Sequence, residues 1–347
     1  MQRLELASWK EYCEQRAAMF EEAGSGLHRA RPASTAWSLL SLSVVIVLGS
    51  ASAANAQTTK ASVASTSLGA TGFPRWAEEL GYGKAQIYPL TFDPTGCPFV
   101  DVDIAGVRVS VLLDSGTSSG FSITNNASPI PHRVEAREEA LNADGSHRGV
   151  TYRIRVETMS VLGEVFKNAL GELSDWHMYS SVPFDGTVGL DFFLNRRLTL
   201  DYRSKKVGTT SQPLPDKLDP KRYLSLDLVD PPPKLSQGHI LYVRGRVNGR
   251  DAIIYLDTGT NVSFIDPAFA EGLTRVERAG KFKVFREHVP IELGGHTLTL
   301  DDLRESEVRR GPGFDPPVAL LVGSDVLSRF IITIDLRAKK LIFAAAN

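Results

Sequence analysis

Two aspartates occupy nearly the same surroundings in this chain: Val-Leu-Leu-Asp114-Ser-Gly-Thr-Ser-Ser-Gly-Phe121 and Ile-Tyr-Leu-Asp257-Thr-Gly-Thr-Asn-Val-Ser-Phe264. Each ends an apolar run and opens a turn that contains glycine, an arrangement that fixes a carboxylate at the end of a strand. Two carboxylates brought face to face cannot easily both be charged, so they share a proton and titrate in two separated steps. With one proton between them, one acid takes a proton from water while the other gives a proton to a carbonyl oxygen. A repeated acid turn is therefore a catalytic proposition and not one of packing.

The elements that must position these acids are repeated as well. A shift of 143 residues (257 − 114) superposes Val100 on Val243, Gly106 on Gly249, Leu113 on Leu256, Gly116 on Gly259, Thr117 on Thr260 and Phe121 on Phe264. Upstream, 98–103 and 239–246 read as strands that turn back at Ala105-Gly106 and Asn248-Gly249 into the acid-bearing strands. Asn-Gly between alternating residues is a strong hairpin signal. Downstream, Phe184-Asp-Gly-Thr-Val-Gly189-Leu matches Val318-Ala-Leu-Leu-Val-Gly323-Ser, with the glycines 75 (189 − 114) and 66 (323 − 257) residues beyond the acids. Each half closes on a hairpin, 198–207 and 332–342. A duplicated unit of short alternating runs broken by Gly, Pro and Asn predicts an all-β chain.

Over roughly 95–345 the chain resembles the pepsin and retropepsin superfamily of aspartic proteases, on the two acid turns and on the element ending at Gly189. The compact halves look like two fused retropepsin units of a bacterial, exported type. The resemblance implies a bilobal acid-protease fold, two β-barrel-like lobes with a cleft between them, and an aspartic-type endopeptidase whose water is activated between Asp114 and Asp257. It implies that the hydroxyls of Ser115 and Thr258 bond across to the partner loop. It also implies that Gly116 and Gly259 leave room for that loop, and that Gly189 and Gly323 lie under the site. Thr117 and Thr260 are expected to donate to the outer carboxylate oxygens, which favours the charged form and predicts an acidic optimum. The substrate would be an extended peptide or protein bound by main-chain hydrogen bonds and side-chain pockets. The alternative reading is a non-catalytic periplasmic peptide-binding protein with a degenerate protease fold; a structural protein that dimerises through its lobes is a third.

With 347 residues there is room for two ordinary domains, and a net charge of −1 gives no sign of a nucleic-acid groove. The expected organisation is a leader at 1–56, a tether or propeptide at 57–94, an N-terminal lobe at 95–208, a Pro-rich linker at 209–238 and a C-terminal lobe at 239–347. In the leader, Arg29 and Arg31 precede the apolar stretch 37–49 and small residues end at Ala56, the pattern of a secretory signal. Met19 offers an alternative start. Export to the periplasm or medium is expected, or inner-membrane anchoring if the leader is kept; the protein is expected to be a monomer.

Cys13 lies in that leader, which leaves Cys97 alone and the fold without a disulfide. His147, His177, His288 and His296 lack metal-ligand spacing, so neither a metal nor another cofactor is expected. Asp191, Asp201, Asp325 and Asp335 recur in both halves at positions that suit turn and strand-end hydrogen bonds. Within the linker, 222–229 alternates as a strand would. Covering hairpins are expected at 140–156, turning near Asp144-Gly145-Ser146, and at 279–290; Tyr152 reads as a strand residue packed on the core and Trp176-His-Met-Tyr179 as packing near the cleft.

Overall fold

The computed structural model describes residues 73–117, 120–124, 129–141, 147–174, 185–232, 239–274, 276–279, 282–308 and 313–345. The leader 1–56 with its apolar stretch, residues 57–72, the 176–179 segment and Phe184 lie outside the described residues. No helix among the described residues is long and apolar enough to cross a membrane.

The chain is all-β. Its first half contains β1 (Ile87–Pro89), β2 (Thr91–Phe92), β3 (Pro98–Ile104), β4 (Val107–Leu113), β5 (Phe121–Thr124), β6 (Arg133–Leu141), β7 (His147–Val161), β8 (Glu164–Ser174), β9 (Gly186–Val188), β10 (Arg197–Asp201) and β11 (Lys206–Thr210). β12 (Tyr223–Asp227) follows in the predicted linker, as the alternation there suggested. The second half contains β13 (Leu241–Val247), β14 (Arg250–Leu256), β15 (Phe264–Ile265), β16 (Val276–Ala279), β17 (Phe282–Phe285), β18 (Val289–Leu293), β19 (His296–Leu300), β20 (Leu303–Glu305), β21 (Val318–Val322), β22 (Phe330–Asp335) and β23 (Lys340–Ala345).

Pairing repeats the duplication seen in the sequence. One sheet runs β2-β3-β4-β9-β5-β8-β7-β6 and another runs β16-β17-β20-β15-β21-β14-β13-β18-β19. In each, an antiparallel hairpin delivers the acid-bearing strand (β3–β4, β13–β14), a parallel neighbour lies beside it (β9, β21), and that neighbour pairs antiparallel with the strand after the acid turn (β5, β15). The hairpins turn on two left-handed residues each, Ala105 (φ 51) with Gly106 (φ 83) and Asn248 (φ 49) with Gly249 (φ 74), the twist that a two-residue hairpin favours. The halves differ where β7 and β8 run unbroken in the first and are interrupted at 286–288 and 301–302 in the second.

A third sheet, β1-β11-β10-β22-β23-β12, joins the halves through the ladder of β10 with β22. It is built from the two closing hairpins, each flanked by the strand that precedes its own half. The expected boundary at residue 94 is thereby corrected. Residues 73–92 belong to the packed unit, because helix α1 (Arg75–Glu79) buries Trp76 and Ala77 and β1 pairs with β11. The sequence gives little sign of this, since the partners of the segment lie more than a hundred residues away.

Burial shows why the acids are held firmly. Along β3 buried and more open positions alternate, whereas Val111–Leu113 and Ile253–Leu256 are buried without a break as their strands approach the acid. A strand covered on both faces and paired on both edges leaves its last residue little freedom.

Candidate active site

Asp114 and Asp257 are the first residues beyond β4 and β14. Their N–H groups still bond to the neighbouring strands, to Val188 O and Val322 O at 2.9 Å each. Both acids are buried to 7% exposure. Each Oδ1 accepts the N–H of the glycine that follows, Gly116 at 2.8 Å and Gly259 at 2.9 Å.

The two loops are tied crosswise. Ser115 N–H donates to Thr258 Oγ1 and Thr258 N–H to Ser115 Oγ, both at 3.0 Å. The hydroxyls then donate onward, Ser115 to Leu256 O at 3.0 Å and Thr258 to Leu113 O at 2.6 Å. Each hydroxyl thus engages the backbone on either side of the opposite acid. The glycines bring the loops this close: a Cβ on Gly116 would stand 2.5 Å from Asp257 Cγ, and one on Gly259 would stand 2.4 Å from Asp114 Cγ. Each carboxylate therefore lies against the opposite loop's glycine, and the structure gathers both acids in one place. Thr258→Val leaves the Ser115 N–H and the Leu113 carbonyl buried without a partner, which is expected to cost about 2–4 kcal/mol in urea unfolding at unchanged m. A loss below about 0.5 kcal/mol would show that the crossing does not hold the halves together.

Beneath the second acid turn, a Cβ on Gly323 would meet Val262 O at 2.6 Å and Thr260 Cγ2 at 2.8 Å. Gly323 N–H donates to Ser263 Oγ at 3.0 Å. In α2 (Ser324–Leu327), Ser324 donates through Oγ to Thr258 O at 2.9 Å and through N–H to Thr260 O at 2.7 Å. Asp325 accepts both the hydroxyl and the N–H of Ser263. Burial pushes the Asp325 carboxyl upward, against the pull of those hydrogen bonds. In the first half the corresponding glycine, Gly189, donates to Gly120 O at 2.8 Å. The lone Cys97 is buried with its sulfur 3.8 Å from Gly259 O. Nearby Tyr202 bonds to Ser324 Oγ, and burial pushes its phenol up.

One expected contact is replaced. Thr117 and Thr260 do close the turns through their N–H groups, to Asp114 O at 3.4 Å and Asp257 O at 3.3 Å. Yet the outer oxygen of Asp257, Oδ2, accepts the hydroxyl of Tyr255 at 3.2 Å, while Thr260 turns its methyl toward Gly323. Tyr255 stands two residues before the acid on the same strand face, and its longer side chain reaches the carboxylate first. An aromatic at that spacing was the available signal, and the sequence reading passed it over. Ser263 and Ser324 were missed for a different reason: the matching places in the first half hold Gly120 and Leu190, so neither serine is repeated.

Elsewhere the smaller expectations are placed as follows. Asp201 accepts Ser204 N–H and Oγ, and Asp335 accepts Ala338 N–H, so both close hairpin turns. Asp191 pairs with His239 of the second half at 2.5 Å. His288 pairs with Asp301, and His296 is exposed. Tyr152 is half-buried on the main core. At the first position expected for a covering hairpin, β6 and β7 pair as a hairpin, with the turn at 142–146 outside the described residues. In the second half the hairpin is 276–285 and not 279–290, because 289–293 leaves it to pair with β13 and β19.

No protein-family model matches the chain, and no curated protein matches it in sequence.

Proposed function

We propose that this chain is an aspartic endopeptidase of the bilobal acid-protease fold, acting on peptides that lie across the junction of its two halves. The observation that carries this reading is the crossed ring of hydrogen bonds between Ser115 and Thr258, which sets each carboxylate on the opposite glycine. A buried pair of acids in that position is costly to keep unless its proton sharing is used.

In the singly protonated pair, the charged carboxylate takes a proton from water as the water oxygen attacks the peptide carbonyl carbon. The protonated carboxyl gives its proton to the carbonyl oxygen. Collapse of the resulting gem-diol breaks the C–N bond, and a proton passes to the departing nitrogen. The glycine N–H groups on each Oδ1 hold the acids in register throughout. The secretory pattern of 37–56 supports export, with this activity in the periplasm or outside the cell, or at the inner membrane if the leader is kept.

The test is digestion of an unstructured peptide mixture from pH 3 to pH 7. The expected result is a bell-shaped profile on the acid side, with cleavage stopped by an equimolar statine-type peptide. Binding of that peptide with no cleavage at any pH would overturn the reading and leave a peptide-binding protein.

A further inference from the structure

We infer that Tyr255 is a positioning residue of the acid pair, holding the outer oxygen of Asp257 in place through its hydroxyl and thereby shaping the acid side of the activity profile. The inference rests on the endopeptidase reading. Tyr255 is fully buried, and its hydroxyl donates to Asp257 Oδ2 at 3.2 Å. The same hydroxyl would stand 2.4 Å from a Cβ on Gly116, so it sits where both acid loops meet. Its ring is held by Tyr242, with centroids 5.4 Å apart, and Tyr242 in turn packs on Phe314 at 4.7 Å. A phenol fixed in this way cannot easily swing off the carboxylate.

The hydroxyl is a device of one half alone. The residue at the matching position in the first half (255 − 143 = 112) is Leu112, which has no donor to offer. The duplicated turns are alike in their glycines and hydroxyls, and they part at this position.

Among the described residues, the titratable groups set around Asp257 are Asp114 across the loops, Tyr255 on its own strand and Tyr202; Cys97 lies against Gly259 O, and Tyr242 faces Tyr255. Of these, Tyr255 is the one with a hydrogen bond to the outer oxygen. A hydrogen-bond donor stabilises the charged form of a carboxylate, so loss of the phenol is to be read on the acidic side of the activity profile. Removing the hydroxyl should move the acidic limb of kcat/KM toward neutrality. Below the wild-type limb the variant should lose several-fold in kcat/KM, with little loss near the optimum. KM for a good peptide should stay within about twofold, because the phenol touches the acid and not the substrate.

The experiment compares pH profiles of kcat and KM for wild type and Tyr255→Phe, with thermal melts to show that both are folded. Tyr255→Leu, which copies the first half, is the second variant and should move the limb the same way. Wild-type cleavage with a displaced acidic limb in the variants is the expected result. Wild-type cleavage with superimposable limbs, or a uniform loss at every pH, overturns the role of Tyr255 and leaves the endopeptidase standing. No cleavage by wild type at any pH overturns the endopeptidase reading, and this inference falls with it.

Discussion

Asp114→Asn and Asp257→Asn should each lower peptide cleavage by roughly 10³–10⁴-fold, and the double variant should lose little more. The acids act as a unit, since the proton that one receives is matched by the proton that the other gives. Asparagine has the same shape and keeps an oxygen for the N–H of Gly116 or Gly259, so the crossed loops should form as before. It cannot take a proton from water. At neutral pH the variants should be no less stable than wild type, because neutralising one of two adjacent buried acids removes their mutual repulsion. Thermal melts at pH 7 check the second half of this expectation and cleavage of a reporter peptide checks the first. A variant that keeps a tenth of wild-type activity would mean that the carboxylate it lacks is not part of the chemistry.

What could be read from residues alone follows from how local each feature is. The acid turns, the two hairpins before them and the glycines 75 and 66 residues beyond are short motifs, and duplication let each copy support the other. The N–H bonds from Asp114 and Asp257 to strands β9 and β21 are consistent with that pattern. Features carried by one half left no such double signal. Tyr255 is matched by Leu112, so comparing the halves gave the phenol no weight. The hairpin β16–β17 was placed three residues late at its start, because 286–288 breaks the second half where the first runs on as one strand. The N-terminal segment was harder still. Pro74-Arg-Trp-Ala-Glu-Glu-Leu is compatible with one short helix, but nothing local says that its tryptophan meets an aspartate 125 residues away.

That segment hangs on one buried cation, and Arg197→Met is expected to lower stability by about 3–5 kcal/mol. Arg197 opens β10 and is only 1% exposed. Its guanidinium donates to Leu80 O at the end of α1, to Pro213 O in the linker at 2.8 Å and to Tyr82 Oη at 3.4 Å, and it lies over the Tyr82 ring at 4.8 Å. Around it, Trp76 Nε1 donates to Asp201 Oδ2 at 2.8 Å, and Tyr82 Oη shares a hydrogen bond with Thr199 Oγ1 at the same distance. Methionine retains most of the apolar stem but strands the two carbonyls, and Asp335, directly across the ladder, loses a neighbouring positive charge. Among the described residues Asp335 Oδ2 already has no hydrogen-bond partner, so the loss is not made good elsewhere. A buried ion pair can be exchanged for apolar residues at little cost, but here the guanidinium serves backbone carbonyls that remain when it is gone. Arg197→Lys keeps the charge without the fork and should fall between the two. Urea unfolding gives the size of the effect, and limited proteolysis shows whether the loss includes release of the chain around Phe73–Phe92. Wild-type stability in Arg197→Met would mean that Trp76 and apolar burial alone hold the segment. If the segment is released with that loss, any N-terminal trimming that leaves a stable protein must stop before Trp76.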